Sequence, residues 1–213
     1  MNIAMIRSLF LITLIGWVNV CAADENAALY DAAVPEDASF IRVVNTSDAT
    51  VTVSVNGMSQ VVAARQMGSY FILSEGDYSV DVAGMVANVS LATKQARTFV
   101  YDGEALNILT DKLPDTVKKA QIMFYNFTGE SLSLKTDDGK FPVVENVAPG
   151  NVGFREVNEV KMPFKAFNGE SPVQSFEALL LRKGQTYSYV LMQTGEGSLY
   201  SQAGANTVYM PQE

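Results

Sequence analysis

Residues Thr50-Val51-Thr52-Val53-Ser54-Val55 alternate polar and apolar side chains, and Asn56-Gly57 follows at once. No other stretch limits the possible folds as strongly. Successive side chains of a strand point to opposite faces, so a period of two predicts a strand with one buried face and one wet face. Asn-Gly supplies the two positive-φ residues of a tight hairpin, and Met58-Ser59-Gln60-Val61-Val62 is the returning strand. Further short runs at residues 69–73, 78–82, 86–91 and 97–101 are separated by turn residues such as Glu75-Gly76-Asp77 and Gly84. Regularly spaced short strands predict a sandwich or a barrel.

The N-terminus follows a different grammar. Residues 1–7 carry one positive charge and no acid, residues 8–20 form an apolar run, and Cys21-Ala22-Ala23 offers small residues before Asp24. This predicts a secretory signal over residues 1–23, cleaved after Ala23, and a periplasmic mature protein. The apolar run is short for a membrane span, which needs about 20 residues, so an uncleaved anchor is the weaker reading and the mature chain is expected not to span a membrane. A lipid-modified Cys21 would follow a small residue, and Val20 stands there instead. Cleavage removes the only Cys and the only Trp, and the chain has no His. Stability must then come from apolar burial without disulfides.

Two halves are expected. Residues 24–38 read as an N-terminal segment, 39–108 as a first β-sandwich, 109–118 as a polar, proline-containing linker and 119–213 as a second sandwich. Ile41-Arg42-Val43-Val44-Asn45 is echoed by Ile122-Met123-Phe124-Tyr125-Asn126, and Thr50-Val51-Thr52-Val53 by Ser131-Leu132-Ser133-Leu134. Each half then reaches a hairpin-like turn, Asn56-Gly57 or Asp137-Asp138-Gly139. The fold class expected is therefore all-β, two small antiparallel β-sandwich domains in tandem after the signal, with one larger sandwich as the alternative.

Charge and missing residue types narrow the function. Without Arg7, 14 basic residues face 23 acidic ones, a net of −9, which argues against nucleic acid and against a polyanion held over the whole surface. Residues 24–114 carry a net of −7 and residues 115–213 a net of −2, so the first half is the better surface for a basic protein. Without His there is no Ser-His-Asp triad or Cys-His pair, and no transition-metal ligand set, phosphate-cradling glycine loop or complete calcium loop is found. No cofactor, metal or catalytic residue is expected. The Asn-x-Ser/Thr sequons at Asn45, Asn88 and Asn126 read as chance matches in a bacterial protein. The strand aromatics are expected mainly in the core; the competing reading is a sugar-stacking platform, weakened by the absence of Trp from the mature chain.

The opening of the mature chain, Ala28-Leu29-Tyr30, Val34-Pro35 and Ala38-Ser39-Phe40-Ile41-Arg42-Val43-Val44-Asn45, resembles that of the alginate biosynthesis protein AlgF family. Glu36-Asp37-Ala38 departs from the family's spacer. The resemblance implies a periplasmic role in O-acetylation of the exopolysaccharide alginate, beside periplasmic acetyltransferases and a membrane-bound acyltransferase, with no catalytic motif. The expected function is a non-catalytic adaptor of that machinery, with alginate itself a possible partner. A carbohydrate-binding module contacting the polymer is the alternative, and a structural or chaperone-like β protein a third class. Tyr30, Pro35 and Arg42 are the candidate partner-binding residues. Tyr30 precedes the first strand as an anchor, and Arg42, opposite in phase to Ile41 and Val43, is expected to face outward.

Overall fold

The computed structural model of the chain describes residues 34–208. The signal, Cys21 and Tyr30 lie outside the described residues. Those described contain no helix, and their period-two runs become strands.

The first half holds β1 (Ser39–Asn45), β2 (Val51–Val55), β3 (Met58–Val62), β4 (Gln66–Met67), β5 (Phe71–Leu73), β6 (Gly76–Val82), β7 (Met85–Leu91), β8 (Ala96–Tyr101) and β9 (Leu106–Asp111). One sheet runs β4-β1-β8-β9, with β5 also paired to β1, and the other runs β3-β2-β6-β7. Two-residue turns close the β2–β3 and β6–β7 hairpins. Asn56 and Gly57 sit at φ of +50° and +78°, and Ala83 and Gly84 at +54° and +87°, the left-handed values such turns demand. Ile41, Val43 and Phe99 from one sheet meet Val53, Val55, Val80 and Val82 from the other, forming the first core.

The second half holds β10 (Ala120–Phe127), β11 (Leu132–Thr136), β12 (Pro142–Val147), β13 (Asn151–Val157), β14 (Val160–Met162), β15 (Phe164–Asn168), β16 (Ser171–Ser175), β17 (Leu179–Leu181), β18 (Thr186–Gln193) and β19 (Leu199–Ala205). Its sheets run β13-β10-β18-β19 and β12-β11-β15-β16, with a separate β14-β17 ribbon. Asp137-Asp138-Gly139 is indeed the turn of the β11–β12 hairpin, with Gly139 at φ +73°. Ile122, Phe124, Tyr189 and Leu191 pack on Leu132, Leu134, Phe164 and Ala166 in the second core.

The weak sequence echo corresponds to a repeated topology. β4-β1-β8-β9 matches β13-β10-β18-β19, and β3-β2-β6-β7 matches β12-β11-β15-β16. In each half one parallel pair, β1 with β8 or β10 with β18, interrupts otherwise antiparallel sheets. The conserved plan extends to side chains. Asn45 Nδ2 donates to Ala49 O (2.7 Å) and Val62 O (3.3 Å), while Ser47 N (3.1 Å) and Oγ (2.7 Å) donate to its Oδ1. Asn126 repeats the pattern with Glu130 O and Val147 O (both 2.7 Å) and with Thr128 N (3.1 Å) and Oγ1 (2.7 Å). Both Asn side chains are fully buried. These two sequons are thus loop staples, and the hydroxyl two residues on is part of the staple, which corrects the reading of them as chance.

β9 continues to Asp111, paired with Ala96, so strand occupies the first three residues of the stretch 109–118 expected as linker. The connection without strand is residues 112–119.

Candidate functional site

β1 and β10 are buried on both faces. The reason is the docking of the two sandwiches. The outer faces of sheets β4-β1-β8-β9 and β13-β10-β18-β19 pack on each other, and Val44, Met123, Tyr125, Val190 and Met192 form a third apolar cluster between them. Each such side chain, fully buried, contributes about 1.5–3 kcal/mol.

Arg42 stands in this junction with 1% of its surface exposed. The expectation that it faces outward is corrected here. Its phase relative to Ile41 and Val43 is as expected, but the outer face of β1 is covered by the second sandwich. Arg42 Nε donates to Thr98 Oγ1 (3.0 Å), Nη1 to Asn206 Oδ1 (2.9 Å), and Nη2 to Tyr125 Oη (2.5 Å) and Ser188 Oγ (3.1 Å). The guanidinium carbon lies 4.2 Å from the Tyr70 ring centroid and 5.2 Å from that of Tyr125, a double cation–π arrangement. Thr98, Tyr70, Asp111 and Arg42 come from the first half, and Tyr125, Ser188 and Asn206 from the second.

Asp111 supplies the counter-charge, 3.9 Å from Nη2. It accepts from Tyr70 Oη (2.7 Å), Thr98 Oγ1 (2.5 Å) and Tyr125 Oη (2.5 Å). Burial pushes the Tyr70 and Tyr125 phenols well above the usual tyrosine range, the nearby guanidinium offsetting only part of it. For Arg42, burial pulls the pKa down, but Tyr125, Tyr70 and Asp111 together outweigh it and the net direction is upward. Asp111 is the carboxyl group paired with the guanidinium in this cluster. The nitrogens of Arg42 and the oxygens of Asp111 are all bonded by protein groups, drawn in sum from both sides of the junction.

Concavities among the described residues lie elsewhere. Pro35 lines one of about 310 Å³ at an end of the first sandwich, with Asp37, Ala38, Asn56, Ile72, Leu73, Ser74 and Tyr78. Arg42 is not part of it, so the described candidate residues do not converge. A larger one, about 610 Å³, opens on the second sandwich between Ser133, Lys135, Asp138, Lys140, Glu145, Asn146, Phe167 and Glu170. There Lys135 Nζ donates to Gly169 O (3.0 Å) and Glu170 Oε1 (3.2 Å) and sits 5.1 Å over the Phe167 ring. Hydrogen bonds from Thr136 Oγ1 and the Lys140 amide hold the Asp138 carboxyl below its ordinary range. Among the described residues no group of three or more acidic, Cys or His side chains is placed to hold a metal ion.

Sequence reasoning missed Asp111, assigned to the linker, and Tyr70, Tyr125, Thr98, Ser188 and Asn206. One signal was available. Phe40-Ile41-Arg42-Val43-Val44 is nearly continuous in apolar character apart from its Arg, the pattern of a strand buried on both faces.

A protein-family model described as alginate O-acetyl transferase AlgF matches residues 12–188. The alginate biosynthesis protein AlgF of Pseudomonas putida is 33% identical over 181 residues, 84% of this chain and 83% of that protein. The AlgF of Pseudomonas syringae pv. tomato is 31% identical over 190 residues, 88% of this chain and 84% of that protein. The solved C-terminal domain of AlgF from P. aeruginosa is 32% identical, covers 42% of this chain and 99% of that domain, and superposes with a TM-score of 0.38.

Proposed function

The chain belongs to the AlgF family, and on that premise we propose that it is a non-catalytic adaptor in the O-acetylation of alginate, working in the periplasm. It binds the periplasmic acetyltransferases and the membrane-bound acyltransferase of that system and aligns them. Membership alone makes it a protein of alginate biosynthesis related to O-acetylation.

One observation carries the adaptor reading. The buried ionisable cluster of Arg42, Asp111, Tyr70 and Tyr125 is used to join two sandwiches, and its atoms bond one another. An acetyl group passing over this protein would need a nucleophile with a base, and the sequence carries no His to fill the commonest base role. A net charge of −9 on the mature chain also favours protein partners over a polyuronate. Acetyl content of alginate from a deletion strain, together with co-purification of the full chain with the periplasmic acetyltransferases, tests the reading. Loss of acetylation with a stable complex is the expected pair of results. Normal acetylation without any complex would sink it.

Direct contact with the polymer is a second reading, favoured by the open 610 Å³ concavity with Lys135, Lys140 and Phe167. Asp138, Glu145 and Glu170 in the same wall oppose a uronate. Calorimetric titration of mannuronate oligomers into the full chain decides it, with no heat expected.

A further inference from the structure

We propose that the free edge of β7 is a docking strip that takes an extended, basic segment of a protein partner by strand addition. The proposal rests on the adaptor reading and names a surface for it.

β7 reads Met-Val-Ala-Asn-Val-Ser-Leu, seven residues without a charge or a proline. It pairs with β6 from Val82↔Met85 to Gly76↔Leu91 with no register shift, and it ends its sheet. The Ala83-Gly84 turn makes Val82 and Met85 the closing hydrogen-bonded pair, and such pairs alternate along an antiparallel ladder. Val86, Asn88 and Ser90 therefore aim their backbone N–H and C=O away from β6. All three are exposed, and among the described residues no turn or loop backbone hydrogen bond reaches them.

Natural sheets blunt such edges with charges, prolines, bulges or covering segments. The other described edges longer than three residues all show one of these devices. Gln60 on β3 bonds the Ser69 backbone through both side-chain atoms. β16 contains Pro172, and β12 begins at Pro142 and shifts register against β11. β9 and β13 lie against each other, and β13 carries Arg155 and Glu156. Gln202 on β19 accepts from the Met67 amide, which ties that edge to the first sandwich. Among the described residues, β7 has neither a device of its own nor a covering segment.

Charge and pattern select the occupant. Asp81 and Asp77 on β6 stand opposite Val86 and Ser90 on the same outer face, in a half with a net charge of −7. Lys94, beyond the strand, is the basic residue nearest in sequence. A second copy of this chain would bring the same acids against these, whereas Lys or Arg side chains gain from them. On the inner face Ala87 and Val89 pack against the first core, so an added strand extends that core with its own apolar positions. The occupant is thus a segment alternating apolar residues with Lys or Arg.

The test uses the full mature chain and the purified periplasmic acetyltransferases of the alginate system as probe. Asn88→Pro removes an outward N–H and leaves the β6 ladder intact, and Val86→Lys places a charge on the edge. We expect wild-type binding that weakens as salt rises, a loss of about tenfold or more in both variants, an unchanged thermal midpoint, and slowed amide exchange at Val86, Asn88 and Ser90 in the complex. Should Asn88→Pro unfold the chain, Val86→Lys and the exchange data carry the decision. Wild-type binding that both variants match, with no protection on β7, overturns the docking strip while the adaptor reading stands. If the wild type binds none of these proteins, both fall. Dimerisation of the wild type, abolished by Asn88→Pro, would assign the edge to self-association and overturn the proposal.

Discussion

Arg42 uses Nε, Nη1 and Nη2 on four side chains drawn from both sandwiches, and its replacement is predicted to be among the most damaging single changes. Arg42→Leu leaves Asp111 buried without its cation and should cost roughly 3–5 kcal/mol in urea unfolding. Arg42→Lys should recover little of that, because an ammonium has neither the planar fork nor the stacking face that fits between Tyr70 and Tyr125. Tyr189 presents the opposite case. Its hydroxyl is buried in the second core with no hydrogen-bond partner, among Phe164 and Phe176. Tyr189→Phe should therefore leave stability unchanged or raise it by about 1 kcal/mol. The sequence placed Arg42 on the correct face of its strand, and the error lay in what covers that face. Burial by a sheet that begins only at Ala120 leaves no local mark beyond the apolar neighbours of the Arg.

At the scale of elements, β13 and β12 depend on one glycine. A Cβ on Gly153 would collide with Val144 Cγ1 and lie 2.8 Å from Val147 Cγ2. Branched valines cannot turn aside freely, so Gly153→Ala should cost about 1–3 kcal/mol by the same measurement. The Asn staples are the second local device, and Asn126→Ala, which frees the buried Val147 carbonyl and the Glu130 carbonyl, should cost roughly 2 kcal/mol. Most strands and both tight turns were legible, because alternation and Asn-Gly are local signals. The parallel pairing of β1 with β8 was not, since a whole second sheet intervenes in the sequence. The strand character of residues 109–111 was hidden for a similar reason: Thr110 and Asp111 look like linker until Asp111 is seen paired with Ala96 and buried under Arg42.

For the whole molecule, the junction makes two sandwiches behave as one. Wild-type unfolding should be a single transition by fluorescence and circular dichroism, and Arg42→Leu should split it in two. Alkaline pH should act on the junction and on the second core. Tyr70, Tyr125 and Tyr189 each have a folded pKa raised first by burial. In the unfolded chain a phenol ionises near pH 10, so above that the unfolded state releases protons that the folded state keeps. The stability these groups contribute is full below about pH 10 and is lost as pH rises beyond it. A titration following tyrosinate absorbance should show a fraction of the tyrosines ionising only as the fold is lost. On the proposed adaptor function, the docked pair, and not either half, would hold the acetylation machinery. The acetyl content of alginate from a strain lacking this chain, complemented with the intact protein or with each half alone, tests that claim most directly. The account predicts acetylation restored by the intact chain and by neither half; normal acetylation without the protein, or full restoration by one half, would contradict it.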